Sequence, residues 1–248
     1  MVRLVVCDVD GTILKKDRAL DEGYFSVIRK LKKKQILFAV ASGRPYHFLR
    51  RLFAPALDDV YFICHDGAAL IYRDALLYGE PLPRQTIGRI LATRGDQDLL
   101  LLGKDASYYK GGSAAFCREV ERTFGDGGIR VSDLLSADEP VYKIALYGFH
   151  PGIRACGDYG IPYHGNGWCE LAAPGVDKKR ALDELLKIHG IDYADVMAFG
   201  DGENDVPMLD AVGAPYIMFN AKQRLLSRYG KRTGSALYTI ERELLNAE

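Results

Sequence analysis

The feature that most constrains this chain is a repeated grammar of short apolar runs, each closed by a polar residue and followed by a helical pattern. Val2–Cys7 ends at Asp8, Ile36–Ala41 at Ser42, Val60–Cys64 just before Asp66, Val196–Phe199 just before Asp201, and Tyr216–Phe219 at Asn220. Short apolar runs bounded by turn signals read as strands buried on both faces. Between them, residues 21–34 place Tyr24, Val27, Ile28 and Leu31 at helical spacing. Lys30, Lys32, Lys33 and Lys34 load the end of that helix, as a solvated run compensating the dipole. Ser42–Pro45 opens another helix, with Ser42 at the cap position. Asp177 caps a helix over 178–189 that stops at Gly190, and the helix after Asp205 carries Pro207 in its first turn and stops at Gly213. Alternating strands and helices predict an α/β fold with a doubly wound parallel sheet. Ligands of such sheets sit beyond the carboxyl ends of the strands. Asp8, Ser42, Asp66, Asp201 and Asn220 are therefore expected to meet in one crevice, although far apart in sequence.

The middle of the chain follows a different pattern. Helices near 85–93 and 114–124 and strands near 98–102, 141–148 and 161–172 predict a small α+β module over residues 81–173, inserted into a domain formed by 1–80 and 174–248. Pro81–Pro83 and Ala173–Gly175 read as the two linkers.

Composition narrows the function classes. The chain has 248 residues, with 33 Lys+Arg against 33 Asp+Glu. A zero net charge argues against a sequence-independent nucleic-acid binder, whose phosphate contacts need a basic excess. Its apolar runs fall short of the ~18 residues of a membrane-spanning helix, so no membrane partner is expected. Cys7, Cys64, Cys117, Cys156 and Cys169 are an odd number without a CxxC pair, and none has an Arg six residues on. A disulfide framework, a zinc knuckle and a cysteine-phosphatase loop are all disfavoured, and a reducing cytoplasm is the expected compartment. Metal chemistry is left to carboxylates.

Four local elements carry chemistry. Asp8 and Asp10 stand two apart before Gly11, which lets the chain turn so that both carboxylates face the crevice; a plain Asp-Gly turn is the bland alternative. Asp201 and Asp205 bracket a second acidic loop, in which Asp205 or Asn204 would also cap the helix that follows. A calcium loop fails on register at both, since Gly11 is fourth rather than sixth and Ala19 stands twelfth, while Val206 and Val212 hold those positions after Asp201. Asp8, Asp10 and Asp201 brought together would repel strongly without a cation. Hard oxygens without His or Cys suit Mg²⁺. Ser42 and Gly43 at a helix start offer an anion site. Lys178, Lys179 and Arg180 sit in a first helical turn, where the dipole disfavours cations by about 0.3–1 kcal/mol each. A broken local rule of this kind is expected at functional sites.

Asp8–Thr12, Ala41–Arg44, Gly175–Lys178 and Gly200–Leu209 occur in the order and approximate spacing of the haloacid dehalogenase superfamily, and the chain most resembles its Cof-like, type-IIB phosphatase branch. One departure is His65-Asp66-Gly67, where relatives usually carry Asn-Gly. The resemblance implies a Rossmann-like core with an inserted cap, and a phosphatase acting on a small phosphorylated metabolite. It implies Asp8 as nucleophile and Asp10 as acid and base. Mg²⁺ would be held by Asp8, the Asp10 carbonyl and Asp201, with Asp205 in support. Ser42, Gly43, Lys178 and Asn204 would hold the phosphoryl oxygens. Arg44 and Glu170 are candidate substrate contacts, with Tyr108, Tyr109, Lys110 and Trp168 as further cap candidates. A phosphomutase of the same superfamily is the nearest rival. A phospho-acceptor signalling module and a metal-dependent nuclease stand further off.

Overall fold

The computed structural model describes residues 1–14, 20–94, 97–124, 128–148, 154, 157–165 and 167–246. The chain runs β1 (Leu4–Asp8), α1 (Gly23–Lys33), β2 (Leu37–Ala41), α2 (Tyr46–Leu52), β3 (Val60–Cys64), β4 (Ala69–Tyr72) and β5 (Ala75–Gly79). It continues through α3 (Arg84–Arg94), β6 (Leu99–Leu102), β7 (Ser107–Tyr109), α4 (Ala114–Phe124), β8 (Ile129–Arg130), β9 (Lys143–Tyr147), β10 (Gly160–Gly165) and β11 (Trp168–Ala172). It ends with α5 (Lys178–His189), β12 (Val196–Gly200), α6 (Val206–Ala211), β13 (Ala214–Met218), α7 (Gln223–Arg228), β14 (Arg232–Thr233) and α8 (Ala236–Ile240).

These elements form two compact units. The first comprises Met1–Gly43, Arg50–Tyr78 and Asp177–Glu248; the second comprises Arg44–Leu49 and Gly79–Val176. In the first, eight strands lie in the order β14-β13-β12-β1-β2-β3-β4-β5. The strands from β14 to β3 pair in parallel, and β4 turns antiparallel to β3. The chain proceeds outward from β1 through β2 and β3, then returns on the other side of β1 with β12. This reversal is the switch point at which such sheets open a crevice.

Strand alternation sorts the core. Leu4, Val6, Ala39, Ala41, Ile63, Val196, Ala198 and Ile217 pack with Ala181, Leu182 and Leu185 of α5 and Met208 and Leu209 of α6. Val5, Cys7, Phe38, Val40 and Phe62 are equally buried and, by period two, belong to the opposite face. Helix α1 packs against β2 and buries Tyr24, Val27, Ile28 and Leu31, the stripe its spacing predicts. Fully burying one such side chain contributes about 1.5–3 kcal/mol.

The second unit is a six-stranded sheet in the order β10-β11-β9-β6-β7-β8. Ile87 and Ile90 of α3 cover Leu99, Leu101, Ile144, Leu146 and Leu171 on one face. Phe116 and Val120 of α4 cover Leu100, Leu102, Ala145 and Trp168 on the other. The single strand expected over 161–172 is two antiparallel strands, because Gly167 (φ 79°) reverses the chain into a hairpin.

The described cysteines Cys7, Cys64, Cys117 and Cys169 are free thiols, and Cys156 lies outside the described residues. Among the described residues no helix is long and apolar enough to cross a membrane.

Candidate active site

Strand register brings the polar residues together. Asp8 is level with Ala41, Ala41 with Ile63, and Cys7 with Phe199. Ser42 and Asp201 therefore each emerge one residue beyond the level of Asp8, on the strands to either side of β1. Asp8, Ser42, Asp66, Lys178 and Asp205 are all buried.

The centre is an ion cluster. Lys178 Nζ donates to Asp8 Oδ1 and to Asp205 Oδ1, at 2.6 Å each. Asp8, Asp201 and Asp205 bring one carboxylate oxygen apiece within 4.8 Å of one another. Asp8 Oδ2 is buried and has no hydrogen-bond partner among the described residues. Asp205 Oδ2 accepts the backbone amides of Asp201 (2.9 Å) and Gly202 (2.8 Å). Asp205 thus shapes its own loop and holds Lys178, rather than presenting a free oxygen pair.

Local structure explains how Lys178 arrives there. Asp177 caps α5, accepting from the Arg180 amide at 2.9 Å, and Gly190 ends the helix in the left-handed region (φ 56°). The turn after β3 presses against the start of α5: a Cβ on Gly67 would lie 1.9 Å from the Asp177 carbonyl oxygen. With φ at +100°, that position requires glycine.

The protonation equilibria follow from burial and crowding. Burial pushes the Asp8 carboxyl up, and the Asp205 and Asp201 charges push the same way, while Lys178 pulls it down. Asp201 is pushed up to about 6 by burial and Asp205, against the pull of Lys178 and a hydrogen bond from Asn220. Burial opposes the Lys178 charge, but Asp205, Asp8 and Asp66 together raise its pKa and keep it an ammonium.

The remaining expected residues are placed as follows. Asp10 is exposed and outside the three-carboxylate set, close enough for its charge to act on Asp201. Ser42 does not cap a helix. Its amide donates to Ile63 O (2.9 Å) and its carbonyl accepts from the Asp66 amide (3.0 Å), so Ser42 prolongs the sheet and α2 begins only at Tyr46. Gly43 faces Asp66, whose Oδ2 would be 3.0 Å from a Cβ there. Asp66 adopts a left-handed turn (φ 55°) and accepts from Asn204 Nδ2 at 2.9 Å. Asp66 thus makes a left-handed turn without glycine or asparagine and orients Asn204.

Two expected residues belong to the second unit. Arg44 lies 4.1 Å over the Phe48 ring. Glu170 pairs with Lys143, a fully buried lysine that sequence reasoning missed. Its only signal was a charge inside an otherwise apolar strand. Trp168 packs into the core with Phe116 and Tyr147, Tyr109 packs on Phe116, and the Tyr108 hydroxyl donates to Glu139. Lys110 is exposed.

Fold and site together define an α/β protein with a lysine-braced acidic centre at the switch point of its sheet. The family profile described as haloacid dehalogenase-like hydrolase matches residues 5–236, and the chain belongs to that family. It is 27% identical over 256 residues to the 5-amino-6-(5-phospho-D-ribitylamino)uracil phosphatase YbjI of Escherichia coli (strain K12), covering 94% of this chain and 91% of that one. It is also 27% identical over 239 residues to the HMP-PP phosphatase of Shigella flexneri, covering 91% and 87%. Among solved structures, a haloacid dehalogenase-like hydrolase from Bacteroides thetaiotaomicron superposes with a TM-score of 0.85 at 20% identity, over 98% of this chain and 99% of that one.

Proposed function

We propose that this protein is a magnesium-dependent phosphatase that hydrolyses a small phosphomonoester through a phosphoryl group carried transiently on Asp8. The observation that carries the reading is the state of Asp8: one oxygen bound by Lys178, the other buried without a partner among the described residues, with two more carboxylates within 4.8 Å.

A hard divalent cation fits this donor set. Three carboxylates crowd together with one buried ammonium that bonds only two of them, the donors are all oxygens, and one buried oxygen is unsatisfied among the described residues. Asp8, Asp201 and the Asp10 carbonyl would hold Mg²⁺, with Asp205 behind them. The ion would supply charge neutralisation, which otherwise fails because an anion must approach a phosphate dianion.

The chain's own residues do the rest. A carboxylate oxygen of Asp8 attacks phosphorus, and the new O–P bond forms as the ester O–P bond breaks. Asp10 gives its proton to the departing oxygen. In the second half it takes a proton from water, whose oxygen bonds phosphorus as the Asp8–phosphorus bond breaks. Ser42, the Gly43 amide, Lys178 and Asn204 hold the transferring oxygens. The second unit, which carries Arg44 and Glu170, is assigned to reading the leaving group. Relatives named as phosphatases of small phosphorylated metabolites support that substrate class.

The test is phosphate release across a panel of phosphorylated metabolites. Activity should vanish with EDTA, return with Mg²⁺, and be absent in Asp8→Asn. Substantial turnover by Asp8→Asn, or product isomerisation without phosphate release, overturns the reading.

A further inference from the structure

We propose that Asn220 is a positioning residue that locks the Asp201 carboxylate in place for the cation by tying it to the turn after β1. This rests on the reading of Asp201 as a magnesium ligand.

The side-chain amide of Asn220 donates to Asp201 Oδ2 at 2.6 Å and to the Gly11 carbonyl at 3.0 Å. An amide nitrogen has two hydrogens, so both are committed. The two partners lie 19 and 209 positions away, on the loops that carry the acidic pairs. Asn220 itself stands in the turn after β13, closed by the Ala221 amide donating to Met218 O. The backbone alone makes that turn; the side chain reaches out of it.

Asp201 needs such a clamp. It is only half-buried, and the Asp205 contact that fixes it engages its backbone amide, not its carboxylate. The Asn220 bond holds the carboxylate rotation about its terminal torsion, which is otherwise broad. The third side of the cradle is Gly11, at φ +86°, where a Cβ would stand 2.1 Å from Asp201 Oδ2. Oδ2 is therefore wedged between Gly11 and Asn220, which leaves Oδ1 as the unclamped oxygen. Hydrogen-bonding partners that orient a metal ligand change metal affinity or activity by about 10–100-fold when removed.

The experiment measures Mg²⁺ binding without substrate, by calorimetric titration and by the Mg²⁺-dependent rise in melting temperature. It compares the wild type with Asn220→Ala and with Asn220→Leu, which is close in size but has no donor. Both variants should bind Mg²⁺ about tenfold or more weakly. The Mg²⁺ concentration for half-maximal activity should rise by a similar factor, with a smaller fall in kcat at saturating Mg²⁺. Equal Mg²⁺ affinity in the variants and a binding wild type overturns this inference and leaves the metal reading standing. A wild type that binds no Mg²⁺ overturns the metal reading itself. Loss of folded protein in both variants also overturns the inference, because it would make the clamp a structural brace.

Discussion

Replacing Lys178 by Met removes the charge that sits between two buried carboxylates while keeping most of the side-chain volume. Lys178 is fully buried and contacts both Asp8 and Asp205 at 2.6 Å. Without it, carboxylate oxygens within 4.8 Å face each other unscreened. At an effective dielectric of 20, two such charges repel by about 3.5 kcal/mol. Removing one partner of a buried pair costs about 3–5 kcal/mol by experience, which agrees. In a chain of this size each kcal/mol moves the melting temperature by about 2–4 °C, so the metal-free variant should melt about 10 °C lower at pH 8. The folded pKa of Lys178 lies above its unfolded value, so Lys178 itself stays charged in both states and adds no titration of its own between pH 5 and 8. The variant, by contrast, should recover towards pH 5, where the crowded carboxylates take up protons. Mg²⁺ should also restore part of the loss at pH 8. Thermal unfolding of both proteins at the two pH values, with and without Mg²⁺, checks this. A variant melting within about 2 °C of wild type at pH 8 without metal would show that the ammonium does not hold the cluster together.

Three further outcomes follow from the same geometry. Asp201 is raised to about 6, so the folded state holds its proton longer than the unfolded state does; its contribution to metal-free stability should be fully present below about pH 4 and be lost as pH rises through 6. Allowing for partial exposure the fall is about 1–2 kcal/mol, read by denaturant titration, and saturating Mg²⁺ should abolish it. Gly11→Ala meets both a positive φ and the Asp201 carboxylate, so it should cost more than about 1 kcal/mol and weaken Mg²⁺ binding together, by melting and calorimetry. Asp66→Asn keeps the left-handed turn and the acceptor for Asn204 while removing a buried negative charge near Gly43; KM for phosphoesters should fall a few-fold with melting nearly unchanged.

Much of this site was legible because parallel sheets obey a positional rule. Polar residues that close buried strands must gather at one edge, and register then placed Asp8, Ser42 and Asp201 within a residue's level of one another. The helix of Lys178 was legible from its cap and its terminal glycine, both of which act locally. Ser42 was misread because its competing partners are distant: Ile63 and Asp66 hold its backbone in the sheet before the helix can start. The β4–β5 hairpin was missed because β5 is an exposed edge strand without alternation, and β7 and β8, at three and two residues, are too short to show a period. The Lys143–Glu170 pair depends on the register between β9 and β11, which no spacing within either strand reveals. Nor does spacing reveal that Arg44–Leu49 joins the second unit rather than the first.

The central claim is that phosphoryl passes through a covalent bond to Asp8. Acid-quenched single turnover with Mg²⁺ and a good phosphomonoester, followed by peptide mass spectrometry, tests it directly. The account predicts a transient phosphoryl group on the peptide bearing Asp8, gone in Asp8→Asn. Phosphate release that proceeds with no phosphorylated peptide at any quench time, or with the group on another residue, would contradict it.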